Sequence, residues 1–582
     1  MALLAAIYDP SPQRARETLD AIRKQPLPTR HPLVDHEWSH GPWQIFCRCA
    51  STTPVQQAST PRQTNFLCGK LLTPDLDPIS LDDLPDQPVS GYGAVLSIDH
   101  TSSTLRATTD AFGIFPLYHV TGADWFMVTS IPWIARHHPS FTPEYDLDGL
   151  AAILRTMHTI SGQTLWKHVK RLAPGARLTA RTAPIEINES PPYTSLPATA
   201  PPSDPEQAVI ERLTRIMRAL ELPHAPQAIL LSGGMDSRLI AGLLHPAQPQ
   251  PVIACTSGMD TDLEVQCARL VSQHLGFQQQ VSESTPDELF EAMQWNARLE
   301  LASNGMNTAL SYAAGQRLPP LRTTFTGYGL DVFMNKLSPA TFPKNCTNDH
   351  ILDHYGRWGL SHSQCLALRP DPSFRDALLN LREKQTQILN AFPDSTIYGK
   401  AQAYEMRYRQ RLHVGANAWR IGWSTWPVSP AYDAILIQTL LAIPETVRQN
   451  RSFQINLLRN HFPSLAKLPI DRNTFDTSPL LPRTWFDDLK ARLKRLPPAR
   501  VNPIQSTHQL RYIRTMDINQ PLWIQLRERI EPLRPILHNL FEPSAVDRIL
   551  PPPHVPIPMT APIPESSSRK TLIALALIGV SP

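Results

Sequence analysis

The stretch Ala228-Ile-Leu-Leu-Ser-Gly-Gly-Met-Asp-Ser-Arg-Leu-Ile-Ala-Gly242 constrains this chain more than any other. An apolar strand runs into Ser232-Gly233-Gly234-Met235-Asp236-Ser237 and then into a helix. Such a strand carries a turn to the edge of a buried sheet. Two glycines let backbone approach an anion, and the amides of the helix start point at it. The loop therefore reads as a phosphate cradle, with Leu231, Ser232, Gly233, Gly234 and Ser237 around the phosphates. It is not a Walker loop, because it has no lysine and carries an acid, Asp236. An acid beside phosphate implies Mg²⁺, and Mg²⁺ bridging Asp236 to the α- and β-phosphates suits cleavage of ATP to AMP and pyrophosphate.

The surrounding pattern predicts how that loop is housed. Residues 1–182 alternate in strand fashion at Gly93–Ile98, Leu105–Thr109 and Trp125–Thr129, which predicts a β-rich first domain. Residues 183–204 are proline-dense and without periodicity, as an extended linker is. At Asp204 a helix-capping residue meets Pro205, and Val209, Ile210, Leu213, Ile216, Met217 and Leu220 form one apolar stripe. A helix, a strand at 227–231, a helix at 237–244, a strand at 251–256 and a helix at 262–275 then alternate as in a parallel sheet with ligands at its strand ends. A helical part follows from about 340, so the second domain spans 205–545. The remainder, 546–582, reads as a partly disordered Pro/Ser-rich tail.

Composition narrows the class. At 582 residues, 42% of them hydrophobic, the chain can build two cores. With 55 basic against 51 acidic residues it makes no case for nucleic-acid binding, and the basic patch 490–495 reads as a solvated helix face. The seven cysteines are scattered and mostly set in apolar runs, as reduced thiols of a cytoplasmic protein are, and Cys47-Arg-Cys49 lacks the companions of a zinc site. The start lacks a basic leader, and the apolar run 572–580 is too short to span a bilayer, which predicts no membrane partner.

Two further turns complete the expected site. Thr256-Ser-Gly-Met-Asp-Thr-Asp-Leu-Glu264 closes the second strand, with the backbone at Ser257 and Gly258 placed to meet an adenine ring. Asp260 and Glu264 there fit a helix dipole at least as well as chemistry. Phe325-Thr-Gly-Tyr-Gly-Leu-Asp331 brings Thr326 and Gly327 to a third strand end, with Asp331 as second Mg²⁺ ligand beside Asp236. The order Ser-Gly-Gly-x-Asp-Ser, Gly258, then Gly-x-Gly-x-Asp resembles the synthetase domain of the asparagine synthetase family. In the first domain Asp110-Ala-Phe-Gly-Ile-Phe-Pro-Leu-Tyr-His119 and Val128-Thr-Ser-Ile131 resemble that family's amidotransferase half. The resemblance implies an α+β Ntn-hydrolase-like sandwich followed by an α/β parallel-sheet ATP-pyrophosphatase domain with a helical C-terminal part.

Departures from the family carry as much weight. Ala2 stands where glutamine-dependent members place a nucleophilic cysteine, and Cys68-Gly69-Lys70-Leu71 replaces the glutamine-holding element. The resemblance therefore implies an inactive amidotransferase-like domain. Trp423-Ser-Thr-Trp-Pro-Val-Ser-Pro430 replaces a segment that carries charge in the family. The pyrophosphate-neutralising lysine is missing, leaving Arg472 or Lys467 to supply that cation. Among members without the cysteine, the closest resemblance is to lasso peptide macrolactam synthetases. These adenylate an Asp or Glu side chain of a precursor peptide, join it to the N-terminal amine, and work with a leader-peptide protease and a leader-recognition protein. Trp419, Trp423, Trp426 and Tyr432 are expected to form an apolar wall for that peptide, with Trp423 and Trp426 shielding the adenylate from water. The alternatives are a β-lactam synthetase-type or ammonia-dependent ligase acting on a small molecule, and a non-catalytic scaffold of the same fold.

Overall fold

The computed structural model describes residues 1–29, 31–81, 90–182, 185–189, 200–222, 227–244, 252–302, 309–318, 323–334, 342, 345–392, 396–481, 485–486, 489, 493 and 509–579. The expected basic patch and most of the linker fall outside them.

The first 189 residues carry the strands β1 (Ala2–Tyr8), β2 (Leu33–His40), β3 (Trp43–Ala50), β4 (Val55–Ser59), β5 (Gln63–Leu72), β6 (Ser90–Asp99), β7 (Thr104–Thr109), β8 (Tyr118–Thr121), β9 (Phe126–Thr129), β10 (Val169–Arg171), β11 (Arg177–Thr182) and β12 (Ile185–Glu189). They form two antiparallel sheets, ordered β10-β8-β9-β1-β3-β2 and β12-β11-β7-β6-β5-β4. The alternation along β5 and β6 sends Phe66, Cys68, Ala94 and Leu96 into the shared core, while Leu67, Leu71 and Val95 pack on the other face with Ile79 and Leu81. The helix α1 (Pro12–Arg23) covers the first sheet with Ala15, Leu19 and Ile22. The alternation predicted the β-rich content, and the two-layer α+β sandwich is the one the family resemblance implied.

The second half holds a five-stranded parallel sheet ordered β15-β14-β13-β16-β17, with β13 (Gln227–Leu230), β14 (Ile253–Ser257), β15 (Gln278–Ser282), β16 (Thr323–Phe325) and β17 (Trp426–Val428). The chain adds strands on one side of β13 and then returns to its other side. The carboxyl end of β13 is thus a topological switch point, where α/β sheets open a crevice. The phosphate loop sits there.

Packing does not respect the two halves. One buried cluster runs from Met1 to Ile578. The helix α2 (Leu147–Thr156), with Leu150 to Leu154 inaccessible to solvent, packs against the helix Pro372–Ala391 of the second half. At the seam Asp433 accepts bonds from Ser90 Oγ at 2.6 Å and, from Arg212 on helix α3 (Pro205–Leu220), from Nε and Nη2 at 2.8 and 2.7 Å.

The tail expected to be partly disordered is instead a buried helix, Pro562–Gly579. Its apolar run is too short for a bilayer but long enough to fill a groove between helices Pro286–Glu300, Pro521–Ile530 and Arg534–Leu540. Even Lys570 is buried there, its Nζ 3.8 Å from the Trp523 ring centroid and donating to the Met516 carbonyl. No described helix is long and apolar enough to cross a membrane.

Candidate functional site

Helix α4 (Met235–Leu244) starts immediately after the loop, so its first amides face the crevice. Ser232 and Ser237 brace the turn: Ser237 Oγ accepts from the Ser232 amide at 3.0 Å and donates to its carbonyl at 3.1 Å. Ser232 Oγ accepts from the Gly234 amide at 3.2 Å. Gly233 is required by space, since an added Cβ would lie 2.6 Å from Cys267 Cβ and 2.8 Å from Asp471 Cβ. The loop is thus held rigid from below and open above, as an anion cradle has to be.

The third turn reaches the same point. A Cβ on Gly327 would lie 2.7 Å from the Asp236 carbonyl carbon, so β16's end rests on the first turn of α4. Thr326 is fixed by its amide on the Val428 carbonyl and by its hydroxyl, 2.7 Å from Ser429 Oγ. Gly329, at φ +89°, brings the chain against the Tyr432 ring and starts the short helix bearing Asp331.

Asp236 and Asp331 come within electrostatic reach of one another. Burial, joined by Asp331, raises the Asp236 carboxyl above its usual range, while Arg451 and Gln454 oppose that rise. Its Oδ1 accepts from Arg451 Nη2 at 2.6 Å and Gln454 Nε2 at 2.9 Å. Oδ2 has no hydrogen bond among the described residues. No cluster of three or more His, Cys, Asp or Glu able to hold a metal occurs among the described residues. Two carboxylates at a phosphate loop nevertheless fit Mg²⁺, which is commonly held by one or two acids plus the phosphates of the substrate.

The remaining expected residues separate. At Ser257–Gly258 the backbone bends at φ +139° around Asp262, which accepts from the Met259 amide at 2.8 Å and pairs with Arg514. Asp260 pairs with Arg269 on the surface, and Glu264 pairs with Arg511 at 3.1 Å; both acids hold structure. Arg472 lies on the Gly233 side, but its Nη1 donates to the carbonyls of Asp476 and Ser478 in its own turn. Lys467 is exposed at the end of helix Pro463–Ala466. Its segment is tied to the loop by Arg238, which gathers the carbonyls of Leu465, Leu468, Pro469 and Gly233, and by the Asp471 amide on the Gly233 carbonyl at 2.9 Å.

The cation that actually touches Asp236 is Arg451, which sequence reasoning missed. A basic residue directly before the helix Ser452–His461 runs against the helix dipole. That mismatch is the one local sign that Arg451 serves something outside its own helix.

The tryptophans are a correction. Trp419, Trp423 and Trp426 are buried to 1% exposure or less. Phe115 abuts Trp419, Tyr92 abuts Trp426, and Trp426 Nε1 donates to the Leu220 carbonyl at 2.9 Å. Trp419 and Trp426 seal the seam against the first domain, Trp423 packs edge-on against Trp419, and all three, being buried, present no wall to a substrate. Of the expected wall, Tyr432 does lie near Asp331, and its ring packs with Phe112 and Phe333.

In the first domain Ala2 is fully buried on β1, opposite Cys49. Ser130 of the Val128–Ile131 element ties to it, donating to the Ala2 carbonyl at 2.8 Å. Asp110 accepts the amides of Phe112, Ile114 and Phe115, shaping a turn whose Gly113 carbonyl takes Arg411 of the second half. The retained motif of this domain therefore serves docking between the halves.

Residues 209–310 match the asparagine synthase family. The match covers the phosphate loop and the Gly258 turn and supports an ATP-dependent amide ligase in general; it ends before Asp331. No curated protein matches the chain. Among solved structures, glutamine phosphoribosylpyrophosphate amidotransferase from B. subtilis, complexed with ADP and GMP, aligns over 49% of this chain and 91% of its own at 8% identity and TM-score 0.23. The allosteric regulatory enzyme of purine biosynthesis aligns over 49% and 81% at 10% identity and TM-score 0.22.

Proposed function

We propose that this chain is an ATP-dependent, AMP-forming amide ligase that closes a macrolactam on a precursor peptide, as lasso peptide cyclases do. The observation that carries this reading is the meeting of the Gly233 and Gly327 turns at the switch point, with Asp236 and Asp331 beside the loop. A carboxylate resists amine attack because oxide is a poor leaving group. Transfer to AMP supplies a better one: the side-chain carboxylate of the peptide attacks the α-phosphorus and pyrophosphate leaves. The amine then attacks the acyl-adenylate, losing its proton as AMP departs. The loop amides and the start of α4 would hold the phosphates, and Asp236 and Asp331 would hold Mg²⁺. When bound, Mg²⁺ would spread the charge of the leaving pyrophosphate.

Ala2 in place of a nucleophile supports an amine that arrives with the substrate and not from glutamine. A precursor peptide supplies both groups, and a leader-peptide protease and leader-recognition protein are its proposed partners in the cytoplasm. The sealing of the tryptophans favours a second reading, ring closure within a compact amino diacid, as β-lactam-forming synthetases perform. A scaffold without catalysis fits less well, since it gains nothing from two acids at a phosphate loop. Incubation with ATP, Mg²⁺ and leader-free peptide should give a product one water lighter and an equal amount of AMP. Cyclisation of an amino diacid with peptides untouched would replace the first reading by the second.

A further inference from the structure

Asp236 lies in a closed ring of bonds. Arg451 Nη2 and Gln454 Nε2 both donate to its Oδ1, and Arg451 Nε donates to Gln454 Oε1 at 2.8 Å. Gln454 is fully buried, whereas the side chains of Asp236 and Arg451 are 26% and 22% exposed. The fixed partner of the carboxylate is therefore the neutral amide, and the cation sits at the crevice edge. Arg451 Nη1 has no hydrogen bond among the described residues.

The backbone under this arginine is also unusual. Asn450 and Arg451 both adopt left-handed conformations, at φ +57° and +62°, and two L-residues in succession there are held only by the surrounding structure. Ser452 Oγ, bonded to the carbonyls of Val447 and Gln449 at 2.6 and 2.7 Å, clamps the turn that holds them. The turn aims the guanidinium away from its own helix and at the acid of the phosphate loop.

Two carboxylates beside a cradle for a polyanion need a compensating charge before any metal-nucleotide arrives. We propose that Arg451 is the resident counter-cation of Asp236: it holds the carboxylate while the loop is empty, yields it to Mg²⁺ as ATP binds, and moves to the β- and γ-phosphates. Gln454 keeps Asp236 in place during the exchange. The arginine's reach and planar fork suit both partners, since carboxylate and phosphate present the same paired oxygens. This role rests on the ATP reading above, and it assigns to Arg451 the pyrophosphate-facing charge that sequence placed on Arg472 or Lys467.

The test uses the full-length protein and Mn²⁺ as a paramagnetic stand-in for Mg²⁺. Arg451→Gly removes the cation without forcing another side chain into a left-handed backbone. Without nucleotide it should bind Mn²⁺ at least tenfold more tightly than the wild type, and adding Asp236→Asn should abolish the gain. The same variant should bind ATP at least tenfold more weakly in Mg²⁺, with AMP affinity changed less than twofold. Arg451→Lys, which keeps charge and fold but cannot bridge Gln454 and Asp236, should raise Mn²⁺ affinity at least threefold. Unchanged Mn²⁺ binding in both variants, or equal weakening of ATP and AMP, overturns the proposal. A wild type that binds no ATP removes the ATP reading, while the Mn²⁺ arm still decides what Arg451 does to Asp236.

Discussion

The seam between the halves and the crevice above β13 both bury charged groups, yet they treat them in opposite ways. At the seam each charge is locked, Asp433 between Arg212 and Ser90 and Arg411 on backbone carbonyls, and Trp419 and Trp426 are buried against rings of the first domain. At the crevice Asp236 and Arg451 remain about one quarter exposed and their outer atoms keep bonding capacity. Locked charge gives a unique interface; charge left with spare capacity beside a glycine cradle is what a site for an anionic ligand requires. The first domain, with Ala2 buried on β1, meets the second through fixed charge and packed rings, and the spare bonding capacity lies at the crevice.

That contrast can be broken by substitution. Asp433→Asn leaves Arg212 buried without its charge partner and should cost about 3–5 kcal/mol, as should Trp426→Ala through its cavity. Chemical unfolding should show the loss, and all activities should fall in parallel; a seam variant that lost AMP formation alone would erase the distinction. Asp236→Asn should do the reverse, lowering substrate-dependent AMP formation roughly 10²–10³-fold, about 3–4 kcal/mol, with little change in unfolding midpoint. Gly327→Ala pushes a methyl against the α4 backbone and should cost about 1–3 kcal/mol, read as weaker ATP binding.

The smallest effect concerns Asp471, whose carboxyl is pushed up to about 6 by burial and by Glu264, against the opposing pull of Asn473, Arg511 and Arg472. An acid with a raised folded-state pKa binds protons more readily folded than unfolded. Its ionisation therefore costs stability that appears as pH rises from about 4 to 6 and persists above. Asp471→Asn should raise the unfolding midpoint at pH 7.5, by about 1 kcal/mol or less after solvent screening, and leave pH 4 unchanged. A variant equally stabilised at both pH values would show that folding does not raise the pKa of this acid.

The strand, loop and α4 were legible because their signals are local: an apolar run, two glycines, a helix start. The strands of the first domain were legible from alternation, and their stacking into a sandwich from the family resemblance. What escaped reading depends on partners far along the chain. Leu572–Leu577 looked like a tail because the helix that buries it begins at Pro286. The tryptophans looked like a binding wall because Tyr92 and Phe115, which bury two of them, lie about 300 residues earlier. Arg451 offered only its mismatch with the helix dipole, because its acid lies 215 positions away.

The proposed function turns on one step, formation of an acyl-adenylate in the crevice. Incubating the full-length protein with [α-³²P]ATP, Mg²⁺, leader-free peptide and, separately, glutamine tests it most directly. AMP and pyrophosphate are expected in equal amounts, matched by peptide one water lighter, with no glutamate released. ADP in place of AMP, or AMP formed without any acceptor-dependent amide, would contradict it.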